Sequence, residues 1–522
     1  SDGSSTAGNE WANYDNAKWA NAVTLKNTKD SSTNTYDANG TKHTDGTGTY
    51  SPLEYYRDIA TIGTAIPEAD ILGYWVYVPR YAYEVQRLNP WNKPVCGNGL
   101  AGASYQDADC DANGYQAMFD IKFEKADTPK KTPYQGLVAV CNTAPTTSVG
   151  ANNYTGGMDY RNDCGVSRTY GSQTGTTWAT HPAFSLDKNS DGDFEDANEE
   201  LNGIWIGKFT TSTTTYCHNV NATDPVSCGN LIAPADIHIK PNESPMLRKY
   251  IGTQFTISKN MSPNANNITG GNEVTVNDAI NTMNLTENAT TYMLKTGDWG
   301  AAAYLSTSKY GTIGQGNKMV YNNGYYDVSV ASSSNTNYRY ITGCGPFEDK
   351  ADTFGATCNS YDTTIGQQAS TTGNIYGIYD MAGPVWNYTM GNYDNIGSAP
   401  NMAVMPAAGY MNSYLESDGF SRDVAPAWSA GTSRQWWGYD YCTFEICGGH
   451  ALYETTIVQS IDGLSRESWD LENTYFAHSS AAWFGRGATS EAGPASGIFA
   501  MGSNTGWAGV FSFRVSMAVE GE

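Results

Sequence analysis

Basic residues are scarce in this chain: 30 lysines and arginines face 53 acidic side chains over 522 residues, a formal charge of −23. An anionic surface repels a phosphate backbone, so the composition argues against a nucleic-acid partner. Long apolar runs are missing as well. No stretch of about 20 apolar residues occurs, so nothing reads as a membrane-spanning helix. Segment 1–10 (SDGSSTAGNE) lacks the charged and apolar regions of a signal peptide. It reads as a polar leader, with a targeting or anchoring segment expected to have been removed before it. Catalytic signatures are absent too. None of the six histidines lies in an HExxH, and no CxxC, GxSxG, Walker A or useful GxGxxG pattern occurs. His181, just before Pro182, reads as a packing residue. Cys447–His450 (CGGH), with Cys442 upstream, offers three metal ligands at most and no second cluster, so zinc is not expected.

What is present is aromatic and polar. Hydrophobic residues make up 39% and aromatics 12%, enough for a core and too much for global disorder. Tyrosine (36) outnumbers phenylalanine (15), which suits half-wet surfaces where the ring packs and the hydroxyl bonds. Abundant Asn, Thr, Ser and Gly fit an extracellular, β- and loop-rich protein. The ten cysteines fall into neighbouring couples: Cys96 and Cys110, Cys141 and Cys164, Cys217 and Cys228, Cys344 and Cys358, Cys442 and Cys447. Consecutive pairing in an oxidising compartment, stapling loops, is the expectation. Buried free thiols are the competing reading.

The sharpest local pattern is segment 187–200 (DKNSDGDFEDANEE). Asp187, Asn189, Asp191 and Asp193 alternate oxygen ligands around Gly192, the opening of a calcium loop. The far end departs, since the twelfth position is Asn198 and Glu199 comes one late. The expectation is a structural calcium held by Asp187, Asn189, Asp191, Asp193 and Glu199. The alternative is a solvated acidic loop between two strands.

Patterning predicts a short hairpin over 10–25 with Asp15-Asn16 at its turn, and one strand over 74–85 (YWVYVPRYAYEV). A strand over 203–210 (GIWIGKFT) and helical pieces over 274–283 and 292–308 follow. Few helices and many short strands joined by long loops give an α+β class. The chain divides into a polar N-terminal extension, 1–50, and one domain, 51–522, with insertions at about 90–180 and 210–270.

Three stretches carry a family resemblance. Segment 374–391 (NIYGIYDMAGPVWNYTMG) resembles the core segment of the formylglycine-generating-enzyme branch of the C-type lectin fold. Gly485–Gly487 (GRG), with Phe513-Arg514 after it, resembles that branch's C-terminal frame, and 203–209 (GIWIGKF) its strand motif. Segments 74–80 (YWVYVPR), 181–184 (HPAF) and 299–311 (WGAAAYLSTSKYG) are similar to non-enzymatic members. Those are bacterial surface proteins, often pilin-associated, and the variable proteins of diversity-generating retroelements. The resemblance implies a C-type-lectin-like domain with large disulfide-stapled insertions. Residues 488–512 hold no cysteine where the oxidases carry their catalytic ones. Pro384 replaces the usual Asn, Asn387 the acidic residue after Trp386, and Ala488 the second Gly of the frame. Oxidase chemistry therefore does not carry over.

By this resemblance Thr489, Ser490, Glu491, Ser503, Asn504, Thr505 and Trp507 are the expected ligand contacts, on loops braced by Arg486 and Arg514. Adenine-directed change of an AAC codon yields neither Trp nor Glu. Trp507 and Glu491 are then fixed positions, or the chain is not diversified. The expected function is non-catalytic binding or display at the cell surface, recognising a protein or glycan ligand. The alternative is the globular part of a pilin-like or other extracellular filament, assembled by self-association. An enzyme of unrecognised chemistry is the third reading.

Overall fold

A computed structural model describes residues 11–27, 43–85, 119–131, 178–185, 199–214, 236–263, 281–312, 340–345, 358–392, 449–451, 458–459, 466–467, 473–474, 481, 483–489, 496–506 and 509–519. In chain order the elements that matter here begin with strands β1 (Asn21–Leu25), β2 (Ile71–Pro79) and β3 (Gly203–Gly207). Helix α1 (Ile251–Asn260), strand β4 (Ala289–Met293) and helix α2 (Thr296–Ser306) follow. The C-terminal part supplies β5 (Trp386–Asn392), β6 (Trp483–Arg486), β7 (Met501–Asn504), β8 (Phe511–Phe513) and β9 (Val515–Val519). Helix and sheet are mixed, with few helices and several small sheets, an α+β arrangement.

One five-stranded sheet runs in the order β1-β2-β3-β9-β4, every neighbouring pair antiparallel. The 203–210 strand ends early, at Gly207. The run 74–85 is two strands rather than one. Arg80 interrupts it, donating its N–H to Asn202 O (2.7 Å) while its carbonyl accepts from Glu124 N–H (2.9 Å). Beyond it Tyr81–Val85 joins a different sheet, beside Phe119–Phe123 and Ala179–Thr180. The N-terminal hairpin is also only half realised. Asn13 and Lys18 bridge around a turn at Tyr14–Asn16, yet Asn21–Leu25 pairs with residues 71–76 and not with its own neighbour. The segment read as an extension thus supplies an edge strand and the fully buried Trp19.

Both helices are buried on nearly every side. In α2 small residues permit this: a Cβ on Gly300 would overlap the carbonyl of Gly449. Only 296–306 of the expected helical piece 292–308 is helix, because residues 289–293 pair with β9. The expected helix over 274–283 lies mostly outside the described residues, and Asn281 to Met283 form a turn. Trp19, Trp75, Trp299 and Trp483 are fully enclosed in the core. Each such burial contributes about 2–3 kcal/mol.

Candidate binding site

The C-terminal frame is a sheet built around β5. Its Asn387 and Tyr388 pair antiparallel with Arg486 and Gly485 of β6, and its Trp386 to Tyr388 pair parallel with Phe511 to Phe513 of β8. β6 pairs antiparallel with β7, from Trp483 opposite Asn504 to Arg486 opposite Met501. Trp386 lies half-buried across these strands, stacked on Phe511 with centroids 6.0 Å apart. A Cβ on Gly502 would come within 3.0 Å of its indole, and one on Gly485 within 2.6 Å of Phe511. The glycines therefore make room for the rings. After β6 the chain turns through Gly487 (φ +88°) and Ala488 (φ +59°). The second is a left-handed position that glycine occupies without strain, so the alanine there carries a local cost.

Both arginines are fully buried and end on backbone carbonyls. Arg486 donates from Nε to Ala500 O (3.1 Å), from Nη1 to His450 O (2.7 Å) and from Nη2 to Ala451 O (3.3 Å). Its guanidinium also sits 5.7 Å from the Trp299 ring centroid. Arg514 donates from Nη1 to Gly207 O, and from Nη2 to Tyr379 O (2.6 Å) and Thr210 Oγ1 (3.4 Å). Burial pulls Arg514 down to about 10, opposed by the nearby Asp380 carboxylate. Asp380 accepts the N–H groups of Gly343 (2.9 Å) and Thr210 (3.2 Å). Asn387 accepts from Thr210 Oγ1 (3.1 Å) and donates to Val385 O (3.2 Å). Most of these polar atoms hold segments of the chain together, as an interior brace.

Ser503 and Asn504 lie on β7 with Thr505 just after, all half-buried. Tyr388 Oη donates to Asn504 Oδ1 at 2.7 Å, and Thr505 Oγ1 lies 3.5 Å from the same oxygen. Burial holds the Tyr388 hydroxyl well above its usual range, so it stays a neutral donor. Tyr388 belongs to the aromatic stretch 386–393 and lies two residues after Trp386 in the same strand, on the same face, which is the signal the sequence offers for it. Thr489 is half-buried as well, but it leaves the β6–β7 ladder at the Arg486 end, whereas Thr505 leaves at the Trp483 end. Those ends are about 10 Å apart along the strands. The expected contacts thus divide into two groups. Ser490, Glu491 and Trp507 lie outside the described residues.

Asp187, Asn189, Asp191 and Asp193 also lie outside them. Glu199 is buried at the root of that loop. A bridge between Ser185 and Glu200, and the bond from Leu201 N–H to Phe184 O (2.9 Å), hold the two ends of segment 186–198 side by side. Arg80 reinforces this root, reaching the Glu200 carboxylate and Phe184 O (3.3 Å). Among the described residues no group of three or more His, Cys, Asp or Glu side chains is arranged to hold a metal. Cys344 and Cys358 form a disulfide, a consecutive pair, with Cα atoms 5.1 Å apart. Cys96, Cys110, Cys141, Cys164, Cys217, Cys228, Cys442 and Cys447 fall outside the described residues.

Two buried titratable groups have structural surroundings. His181 is enclosed by Tyr81, Tyr83 and Tyr304 at 5.3–5.4 Å, and its Nδ1 accepts Ala183 N–H (3.2 Å). Burial, reinforced by His450, holds it well below the usual histidine range, so it stays uncharged. Lys208 donates to Asn21 Oδ1 (2.7 Å) and Ile375 O (2.5 Å), and burial pulls it down to about 7. Among the described residues no helix is long and apolar enough to cross a membrane. Comparison with protein-family models and with curated proteins finds no match for this chain.

Proposed function

We propose that this chain is an extracellular, non-catalytic binding or display protein with a C-type-lectin-like domain of the formylglycine-generating-enzyme branch. In this reading it recognises a protein or glycan ligand through the rim that continues from β7. The observation that carries it is the fate of Arg486 and Arg514, both spent on backbone carbonyls, beside the half-exposed Ser503, Asn504 and Thr505. A rigid frame with a polar, solvent-facing edge is suited to holding a ligand. The Cys344–Cys358 disulfide supports an oxidising compartment. A calcium in the acidic loop would brace the insertion rooted at Ser185 and Glu200, with no part in the rim.

The test is a binding screen on glycan arrays and cell-surface proteins with the wild-type chain, Asn504→Ala combined with Trp507→Ala, and Thr489→Ala. Loss of at least about tenfold (about 1.4 kcal/mol) in the first variant, with Thr489→Ala retaining affinity, supports the rim. Equal binding by all three removes it. Loss confined to Thr489→Ala moves the site to the other end of the ladder.

A further inference from the structure

The turn at 181–184 and the short segment 449–451 meet beside the first turn of α2. Gly449 packs directly on the turn: a Cβ there would come within 2.7 Å of Pro182 Cδ and 3.0 Å of His181 Cε1. Gly297 of α2 adjoins both sides, its Cβ position being 3.9 Å from His450 Cδ2 and 4.0 Å from Ala183 Cα. Two further groups hold the segment. Arg486 donates to the carbonyls of His450 and Ala451, and Ala451 N–H donates to Tyr304 Oη (3.0 Å). His181 is buried in this contact, against the rings of Tyr81, Tyr83, Phe184 and Tyr304. Its Nδ1 is committed as the acceptor of Ala183 N–H (3.2 Å). A second proton on this ring has to go to Nδ1, and there it breaks that bond.

We propose that His181 and His450 form an acid-sensitive latch on segment 449–451, shut while His181 is neutral and released when it takes up a proton. The titratable groups that face the His181 ring are the phenols of Tyr81, Tyr83 and Tyr304, and His450, which opposes a charge there. Glu84 lies on the other face of the strand that carries Tyr81 and Tyr83. At the first turn of α2, Lys295 donates to Ser185 O (3.3 Å) and Asp298 accepts from Ser516 Oγ (2.8 Å). Glu200 is paired with Arg80 and Lys130, and Glu199 is buried at the root of the acidic loop. The charge tied to 449–451 itself, the Arg486 guanidinium, is positive too. A protonated imidazole would thus be enclosed by rings with a second imidazole beside it, and the least costly way to hydrate it is to part the turn from the segment. An ordinary histidine takes up its proton near pH 6.5, and burial, with His450 beside it, sets His181 lower. The latch therefore stays shut above that pH and loosens as the pH falls below it. Arg486 also holds Ala500 O at the head of β7, so release of 449–451 passes to the β6–β7 ladder. The inference requires no ligand and no particular role for the rim.

Hydrogen exchange on the whole chain at about pH 7, 6 and 5 tests this, read as protection factors so that the intrinsic pH dependence of exchange is removed. In the wild type, protection at 449–451 is expected to fall by at least about tenfold from the highest pH to the lowest, the scale of one proton taken up below about 6.5. Protection in β3 and β9 should stay level over the same range. His181→Asn offers Oδ1 to Ala183 N–H and takes up no proton, so it should hold 449–451 equally at all three values. His450→Asn removes the neighbouring imidazole and should shrink the wild-type fall. Should His181→Asn not fold, His450→Asn decides alone, and a fall as large as that of the wild type overturns the proposal. Level protection at 449–451 in the wild type overturns it as well. So does a fall that persists in His181→Asn, or one shared equally by β3 and β9.

Discussion

Replacing Arg486 with methionine tests whether the frame is held by its buried arginines. Methionine fills much of the same volume without strain, so the loss is chiefly polar. The buried carbonyls of His450 and Ala451 each lose the guanidinium donor, while Ala500 O loses one donor and keeps the N–H of Gly487 (3.2 Å). Each lost bond that leaves an acceptor unsatisfied costs about 1–3 kcal/mol. Against this stands the cost of burying a guanidinium, which the variant no longer bears and which amounts to several kcal/mol. The expected net loss is about 3 kcal/mol, near the lower end of what breaking a buried charged contact costs. Lysine at this position keeps the charge but not the fork, so it should recover only a minor part. Urea unfolding followed by tryptophan fluorescence measures the change, because Trp299 and Trp483 lie beside or on the same strand as Arg486. Limited proteolysis should show earlier cleavage near 449–451, which the guanidinium clamps. A midpoint within about 0.5 kcal/mol of wild type, the range of an ordinary surface substitution, would refute the reasoning.

Lys208 gives a pH dependence. Its folded value of about 7 lies below the ordinary 10.5, so between those limits the unfolded chain binds one more proton. Stability should be fullest above the unfolded value and fall as the pH drops towards 7, by up to about 1.4 kcal/mol per pH unit. Unfolding curves at pH 7, 8 and 9 should rise more steeply for the wild type than for Lys208→Met, and parallel slopes would contradict the burial. Gly300→Ala should destabilise by about 1–3 kcal/mol through overlap with the Gly449 carbonyl. Gly297→Ala in the same helix, where the nearest atom is 3.9 Å away, should be neutral or stabilising by up to about 1 kcal/mol. Equal thermal midpoints for the two would sink the close-approach argument. Calcium in the 187–199 loop should raise the thermal midpoint and chelation lower it, by about 2.7 kcal/mol at a hundredfold excess over the dissociation constant. An unchanged midpoint under both conditions, or the same response in Asp191→Asn, would remove the metal.

Much of the frame was legible because its signals are local. The run 203–207, apolar and β-branched between glycines, formed the strand that its pattern implied. Arg486 and Arg514, expected to brace loops, both reach backbone carbonyls of distant segments. What was missed depends on partners remote in sequence. The run 74–85 has one continuous strand pattern, and only the contacts of Arg80 with Asn202 and Glu124 divide it between sheets. Helix α1 escaped because its polar side chains face inward. Gln254 donates to Lys249 O and Phe511 O, and Thr256 and Ser258 bond back to carbonyls four residues earlier, so the apolar stripe that betrays a helix is absent. The division of the ligand positions between two ends of a ladder follows from the pairing of Trp483 with Asn504, a register that spacing alone does not reveal.

The position of β9 bears on how the chain comes to be folded at all. Residues 515–519 lie between strands from 203–207 and 289–293, in a sheet that opens with residues 21–25. Translation must therefore pass residue 519 before that sheet can close, and until then the strands at 203–207 and 289–293 each lack a neighbour. A nascent chain in this condition keeps unpaired strand edges open to other chains, so it depends on escort until its last strand arrives.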